Sequence, residues 1–317
     1  MIPIGKNIDP SLLNHHQEAI CHYLDSTPFL RNKKDRLERL IAAFTKKRFT
    51  FKTLLTAPFA TIEKQIVPYW DRFPAASKDD YADEIHYFHT YYSYLGRPEH
   101  YSFSEKKDEI RTYYNTNYLF QHLDIFVCPY CNENYTYHTT QSGKRNYDID
   151  HFFSQADYPI LSLSFYNLIP ACKQCNFYKL DKPDPILSPY HDYRVDDILR
   201  WGLKVFSAGY LLDKNQFEIK ITHKTKQPYL DKIDNNINVF DLQNRYAERK
   251  DIIADLLRKK QVYNRDYIEQ LFKSFEGKLF SNLSDVHNMI FNTSFDEDQY
   301  PHRPFSKLIR DIFQSEF

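Results

Sequence analysis

Four cysteines in two C-x₂-C pairs, Cys128/Cys131 and Cys172/Cys175, constrain this 317-residue chain more than any other feature. Thiolates at that spacing form a knuckle whose two sulfurs face one ion, and two knuckles complete a tetrahedral Cys₄ zinc site. Such a site is closed, so its ion is expected to be structural rather than catalytic. The pairs stand about 40 residues apart, well beyond the ~15–20 of a compact zinc ribbon. The insertion holds Asp150-His151 and Asn167-Leu168-Ile169-Pro170, and Asn176 and Lys179 follow the second pair. No thioredoxin-like βαβ pattern surrounds either pair, which argues against redox use. The remaining Cys21 sits in an amphipathic stretch and is expected to be a buried structural thiol.

The formal net charge is zero. Phosphate neutralisation drives non-specific nucleic-acid binding, so a role in coating DNA is disfavoured and any such contact must come from a local basic face. The opening residues lack a basic segment followed by an apolar run, and no stretch approaches the ~18 apolar residues of a membrane span. Four of five cysteines at metal-ligand spacing suit a reducing, cytoplasmic setting without membrane association. The abundance of Tyr and Phe reads as a compositional bias of the source genome.

Three regions are expected: a helical N-terminal region over 1–120, a core over 121–190, and a β-hairpin with a helical region over 191–317. Asp9-Pro10 and Thr27-Pro28 read as helix starts, the first followed by Leu12, Leu13, Ile20, Tyr23 and Leu24, the second by Leu37, Leu40, Ile41 and Phe44. Ser77 with Asp80 resembles a third start, ahead of Ile85, Phe88, Tyr92 and Leu95. The clusters Arg31-Asn32-Lys33-Lys34 and Lys46-Lys47-Arg48 have the charge to touch phosphate, though a charge run on a helix is more often a solvated face. In the core, Tyr135 and Tyr137 pair by alternation with Tyr147 and Ile149 around the turn Gln141-Ser142-Gly143-Lys144. A loop through Gln155–Pro159 and a short helix after Cys172 complete it. Beyond Trp201, Val205–Leu212 and Phe217–Ile221 read as a hairpin about Asp213–Gln216. A long helix from Asn244 buries Ile253, Leu256, Leu257, Tyr263, Tyr267 and Leu271. The last helix carries Leu308, Ile309, Ile312 and Phe313.

The Asp-His pair gains meaning from its place between the knuckles. Hydrolysis of a phosphodiester needs a base for the attacking water, a cation on the scissile phosphate, and help for the leaving oxygen. A neutral imidazole titrates near working pH and suits the base, here His151. A hard cation prefers oxygen, which Asp150 and the side-chain amide of Asn176 supply, while the adjacent histidine points the other way along a strand. Among the other histidines, His138 and His191 read as packed or exposed, and His15-His16 as solvent-facing. Tyr130, Tyr135 and Tyr137 have the rings to stack bases, but core packing is the better expectation.

The pattern C-P-Y-C, D-I-D-H-F and N-L-I-P-A-C-K-Q-C-N-x-x-K resembles the HNH, or ββα-metal, endonucleases over residues 125 to 185. The resemblance implies an α+β chain with mostly helical flanks around a small ββα-metal core stapled by structural zinc. It implies an enzyme that cleaves DNA with His151 as general base and a Mg²⁺ or Mn²⁺ held by Asp150 and Asn176. Asn167 would orient the base, and Lys179 would assist the phosphate or leaving group. Asn176 stands where many members have His, which favours Mg²⁺, and Phe153 stands where many have Pro. Asp148 would be second to Asp150 or simply exposed. The run Tyr158-Pro159, Asn167-Leu168 and Asp184-Pro185 is similar to HNH nucleases of bacterial anti-phage defence, of the Septu and retron-associated types. That implies an ATPase or other defence partner protein. The alternative is a zinc-organised module that binds nucleic acid or protein without catalysis.

Overall fold

Asp9 and Thr27 begin the first two helices, as their hydroxyl and carboxylate oxygens favour. In the computed structural model, which describes residues 2–5, 8–97, 100–104, 111–137, 139, 144–180, 185–223 and 229–315, Asp9 accepts the Ser11 N–H at 2.8 Å and opens α1 (Pro10–Asp25). Thr27 accepts the Leu30 N–H at 3.2 Å and opens α2 (Pro28–Thr45), whose stripe of Leu37, Leu40, Ile41 and Phe44 is buried. Four short helices follow: α3 (Phe51–Leu55), α4 (Phe59–Thr61), α5 (Val67–Asp71) and α6 (Ala75–Asp79). Ser77 lies inside α6, and α7 (Ala82–Leu95) starts after Tyr81 with no side-chain cap, so the cap position is displaced by four residues from Ser77.

The stretch expected to be wholly helical also holds an antiparallel pair, β1 (Tyr101–Phe103) and β2 (Thr112–Tyr114), before α8 (Thr116–His122). The next pair is β3 (Tyr147–His151) with β4 (Leu168–Cys172). This replaces the expected pairing of Tyr135–Tyr137 with Tyr147–Ile149 among the described residues, since Tyr135 bridges Val127 instead. Gln141, Ser142, Gly143, His138 and Asp184 lie outside the described residues.

After α9 (Lys173–Lys179) come α10 (Val195–Ile198) and the antiparallel hairpin of β5 (Leu199–Val205) and β6 (Phe217–His223). Its first strand lies six residues earlier than the alternation of Val205–Leu212 suggests; Phe206 and Leu212 are exposed in the connection. The remaining helices are α11 (Leu230–Val239), α12 (Leu242–Ala247), α13 (Lys250–Val262), α14 (Arg265–Phe275), α15 (Leu283–Phe291) and α16 (Ser306–Gln314). The single long helix expected from Asn244 is therefore three. Asn264 caps the last of them by accepting the Tyr267 N–H at 2.9 Å, and Tyr267 is exposed rather than buried.

The fold is thus α+β, mostly helix with three two-stranded sheets among the described residues. It divides into two compact units. The helical unit comprises Ile4–Ile125 and His138–Ala171; the cysteine unit comprises Met1–Pro3, Phe126–Tyr137 and Cys172–Phe317. One core cluster of the cysteine unit joins Ile2, Leu187, Val195, Ile198, Leu199 and Ile233. Among the described residues no helix is long and apolar enough to cross a membrane.

Candidate functional site

All four paired cysteines belong to the cysteine unit, and all are buried. The first knuckle is a tight turn in which the Cys128 N–H donates to the Asn134 carbonyl at 2.9 Å and the Asn132 N–H to the Cys128 carbonyl at 2.8 Å. Asn132 takes a left-handed conformation there (φ 51°), which Asn tolerates better than most residues. In the second knuckle Cys172 is itself the N-cap of α9, its sulfur accepting the Cys175 N–H at 3.5 Å.

The four Sγ atoms lie within 4.8 Å of one another, with Cys131 and Cys172 4.0 Å apart. A tetrahedral ion with Zn–S bonds of ~2.3 Å holds its sulfurs roughly 3.8 Å apart, so the set can accept a metal ion such as zinc with little adjustment. Burial pushes the Cys128 and Cys175 thiols up. The neighbouring thiols Cys128, Cys131 and Cys175 pull Cys172 down.

Charge around this cluster is arranged by residues that the spacing of the cysteines did not reveal. Arg245 donates to Cys175 Sγ at 3.4 Å and to the Phe240 carbonyl at 3.3 Å. The buried Glu133 carboxylate ties Arg245 through Nε at 2.8 Å and Arg249 through Nε at 3.0 Å. Burial opposes the Arg245 charge, but Cys131, Cys175 and Glu133 overcome it and raise its pKa. Asn134 donates to Cys172 Sγ at 3.3 Å. Tyr246 donates its hydroxyl to the Cys131 carbonyl and stacks on Trp201, ring centroids 4.0 Å apart. A four-thiolate centre carrying a divalent ion has net charge −2, and these donors offset it. The one signal in the sequence was Arg245 and Arg249 four residues apart, although in the structure Arg245 lies in α12 and Arg249 just before α13.

Asp150, His151 and Asn167 belong to the helical unit. Asp150 is buried near the end of β3 and His151 is half-buried beside it. His151 Nε2 lies 3.2 Å from the Ser162 carbonyl. A carbonyl only accepts, so in the neutral ring this contact selects the Nε2–H tautomer and leaves the lone pair on Nδ1. Asn167 grips the segment between: its Oδ1 accepts the Phe153 N–H at 2.7 Å, and its amide donates to the Phe153 and Leu161 carbonyls at 3.2 and 3.1 Å. Its own carbonyl accepts the Phe152 N–H at 2.9 Å.

The N-terminal helices pin this same segment. Phe59 packs on Phe152 and Phe153, ring centroids 5.2 and 5.9 Å away. Trp70 Nε1 donates to the Asp157 carbonyl at 2.8 Å, and Tyr158 donates to Asp71 at 3.1 Å. Tyr92, which the sequence placed only in an apolar stripe, sets its ring edge-on to His151 at 4.4 Å. Burial pushes the Tyr92 hydroxyl up to about 12, with Arg145 pulling the other way and Asp150 and Asp148 adding to the rise.

Asn176 and Lys179 lie three residues apart on α9 of the cysteine unit, the first half-buried and the second buried. The residues expected to form one centre are therefore divided: base, carboxylate and Asn167 belong to one unit, amide and lysine to the other. Among the described residues the four cysteines form the only grouping of three or more His, Cys, Asp or Glu side chains able to hold a metal.

Other expectations need correcting. His16 is wholly buried, and His15 stacks on Phe103 at 3.9 Å, so neither faces solvent freely. Tyr130 is core and stacks on Phe240 at 4.6 Å, but Tyr135 and Tyr137 are about half exposed. His191 packs on Tyr229 at 4.7 Å, in keeping with the expectation of a packed or exposed residue. Cys21 is only partly buried. No protein-family model, curated protein or solved structure matches this chain.

Proposed function

We propose that this chain is a metal-dependent endonuclease of HNH type that hydrolyses phosphodiester bonds of DNA, with a structural zinc ion on Cys128, Cys131, Cys172 and Cys175. The observation that carries the reading is the fixing of the His151 ring. The Ser162 carbonyl at Nε2, the T-shaped contact with Tyr92 and the doubly gripped segment after it orient the ring, and in the neutral form with its proton on Nε2 the basic lone pair belongs to Nδ1. Such a base takes a proton from water as the water attacks phosphorus, and its orientation lowers the barrier by holding the reacting geometry. Asn167 serves by fixing the backbone on both sides of the segment that orients the ring. The oxygen ligands that the sequence offers a Mg²⁺ or Mn²⁺ are the Asp150 carboxylate and the Asn176 amide; when bound, the cation neutralises charge on the scissile phosphate. Lys179 is the cation assigned to the phosphate or leaving oxygen.

His151→Ala should lose Mg²⁺-dependent nicking of plasmid DNA by at least about 100-fold, with zinc content and thermal unfolding unchanged. Undiminished nicking would remove His151 from the chemistry. A second reading, a zinc-organised binding module without catalysis, is favoured by the cysteines being the only set of three or more His, Cys, Asp or Glu able to hold a metal among the described residues. It predicts DNA or protein binding with no cleavage under any divalent cation. A cytoplasmic setting and an ATPase or other defence partner belong to the same proposal; co-purification with a shift in size-exclusion mass tests the partner.

A further inference from the structure

Between residues 31 and 52 the chain carries nine Lys and Arg against two Asp and Glu, although its overall net charge is zero. Packing divides these cations into two groups. Lys34 pairs with Asp25 at 2.7 Å, and Arg36 pairs with Glu84 at 2.7 Å and Asp83 at 3.0 Å. Arg31 donates to the Asp25 carbonyl at 2.8 Å, and Lys33 lies 4.6 Å from the ring centres of both Phe29 and Tyr87. The first basic cluster is thus engaged within the helical unit.

Lys46, Lys47 and Arg48 are exposed, as is Lys52 one turn further on, and among the described residues no ion pair engages them. Their backbone is unusual. Lys46 and Lys47 are both left-handed (φ 55° and 62°), a conformation that strains a non-glycine residue. The turn is set by the Lys46 and Lys47 N–H groups on the Ala42 carbonyl and by Arg48 N–H on Thr45 at 3.2 Å. Cations at a helix C-terminus do relieve the macrodipole, but one lysine achieves that. A merely solvated face would mix the two signs, and this turn carries only one.

The turn also has a fixed relation to the candidate base. Phe44, in the last turn of α2, meets Trp70 edge-on at 5.4 Å, and Trp70 holds the Asp157 carbonyl six residues past His151. We propose that the Lys46–Arg48 turn, with Lys52, is a contact for the phosphate backbone of DNA. This names how the proposed substrate is held and rests on that reading for the identity of the polyanion. Three exposed cations on this turn, Arg48 also lying 5.7 Å from the Tyr69 ring centre, and Lys52 in the following helix present single charges suited to the regular array along a strand, and binding releases the condensed counterions.

The test measures binding of a fluorescein-labelled DNA duplex to the full chain by anisotropy, without Mg²⁺ or Mn²⁺, across a salt series. The triple variant Lys46→Gln, Lys47→Gln, Arg48→Gln should lower the slope of log K against log salt by about 2 to 3, at ~0.9 per lost phosphate contact. The double variant Arg48→Gln, Lys52→Gln touches no left-handed residue and should lower it by about 2, with thermal unfolding unchanged. A control with Lys204→Gln, Lys214→Gln and Lys278→Gln should leave the slope alone. Unchanged slopes in the turn variants, an equal loss in the control, or no duplex binding by the parent chain would each overturn the proposal. So would a loss confined to phosphatidylserine vesicles. If the turn variants behave as expected while His151→Ala still cuts, the contact stands and the assignment of the base falls.

Discussion

The imidazole of His16 has no solvent exposure; Nε2 lies 2.8 Å from the Leu163 carbonyl and Nδ1 2.8 Å from the Tyr114 hydroxyl. Burial pushes its pKa down to about 4, only partly opposed by the Leu163 carbonyl. In the unfolded chain the ring takes its proton near the ordinary value of 6.5, so between these values the unfolded state binds more protons. The stability of the helical unit from this group is fully present above about pH 6.5 and is lost as pH falls toward 4, by at most ~3 kcal/mol. Denaturant unfolding between pH 7 and pH 4 should show a steeper loss in the parent chain than in His16→Gln. Nothing in the sequence separated His15-His16 from an exposed pair, because their partners are distant in the chain. The proposed role of His151 drew instead on its neighbours in sequence, Asp150 and the flanking knuckles.

At the level of elements, caps and knuckles were readable and breaks were not. The first two helices began where Asp9-Pro10 and Thr27-Pro28 placed them, because capping is decided by atoms within three residues. The break between α13 and α14 depended on Asn264, which competes for backbone groups in a way that periodicity does not register. Strand β5 was misplaced because Val205–Leu212 also alternates, whereas the observed strand is secured by Trp201 stacking on Tyr246 and donating its N–H to Asp311 at 2.8 Å. The first knuckle is tied to α16 by Asn132. Its amide donates to the Tyr300 and Arg303 carbonyls at 3.1 and 3.3 Å, and its Oδ1 accepts from Ser306 and the Lys307 N–H at 3.3 Å each. Asn132→Gly keeps the left-handed turn and should cost about 3 kcal/mol from the lost bonds. Asn132→Ala should cost roughly 1–2 kcal/mol more for the backbone. Equal losses in the two variants, read by denaturant unfolding, would mean that the turn does not strain alanine.

Over the whole molecule the proposed zinc ion and its ligands lie in one unit and the proposed base in the other. Metal-binding energy at four thiolates is folding energy, so its loss should be felt where the thiolates are. The purified protein should contain about one zinc per chain. A chelator, or Cys172→Ser, should lower the unfolding transition of the cysteine unit in calorimetry while the transition of the helical unit keeps its temperature. Two transitions that fall together would show that the ion supports both units. The site was legible in the sequence only as two half-lists of residues, since spacing announces ligands and motifs but not which compact body each half joins.

The chain re-enters the cysteine unit twice and the helical unit once: Met1–Pro3 and Phe126–Tyr137 belong with Cys172–Phe317, while His138–Ala171 returns to Ile4–Ile125. No single truncation point therefore releases either body whole. During synthesis the early helices must wait for the segment that ends at residue 171 to emerge, and the first knuckle must wait for the second pair of cysteines just beyond it. Chains cut at 125 or 137 should be aggregation-prone fragments rather than smaller working proteins.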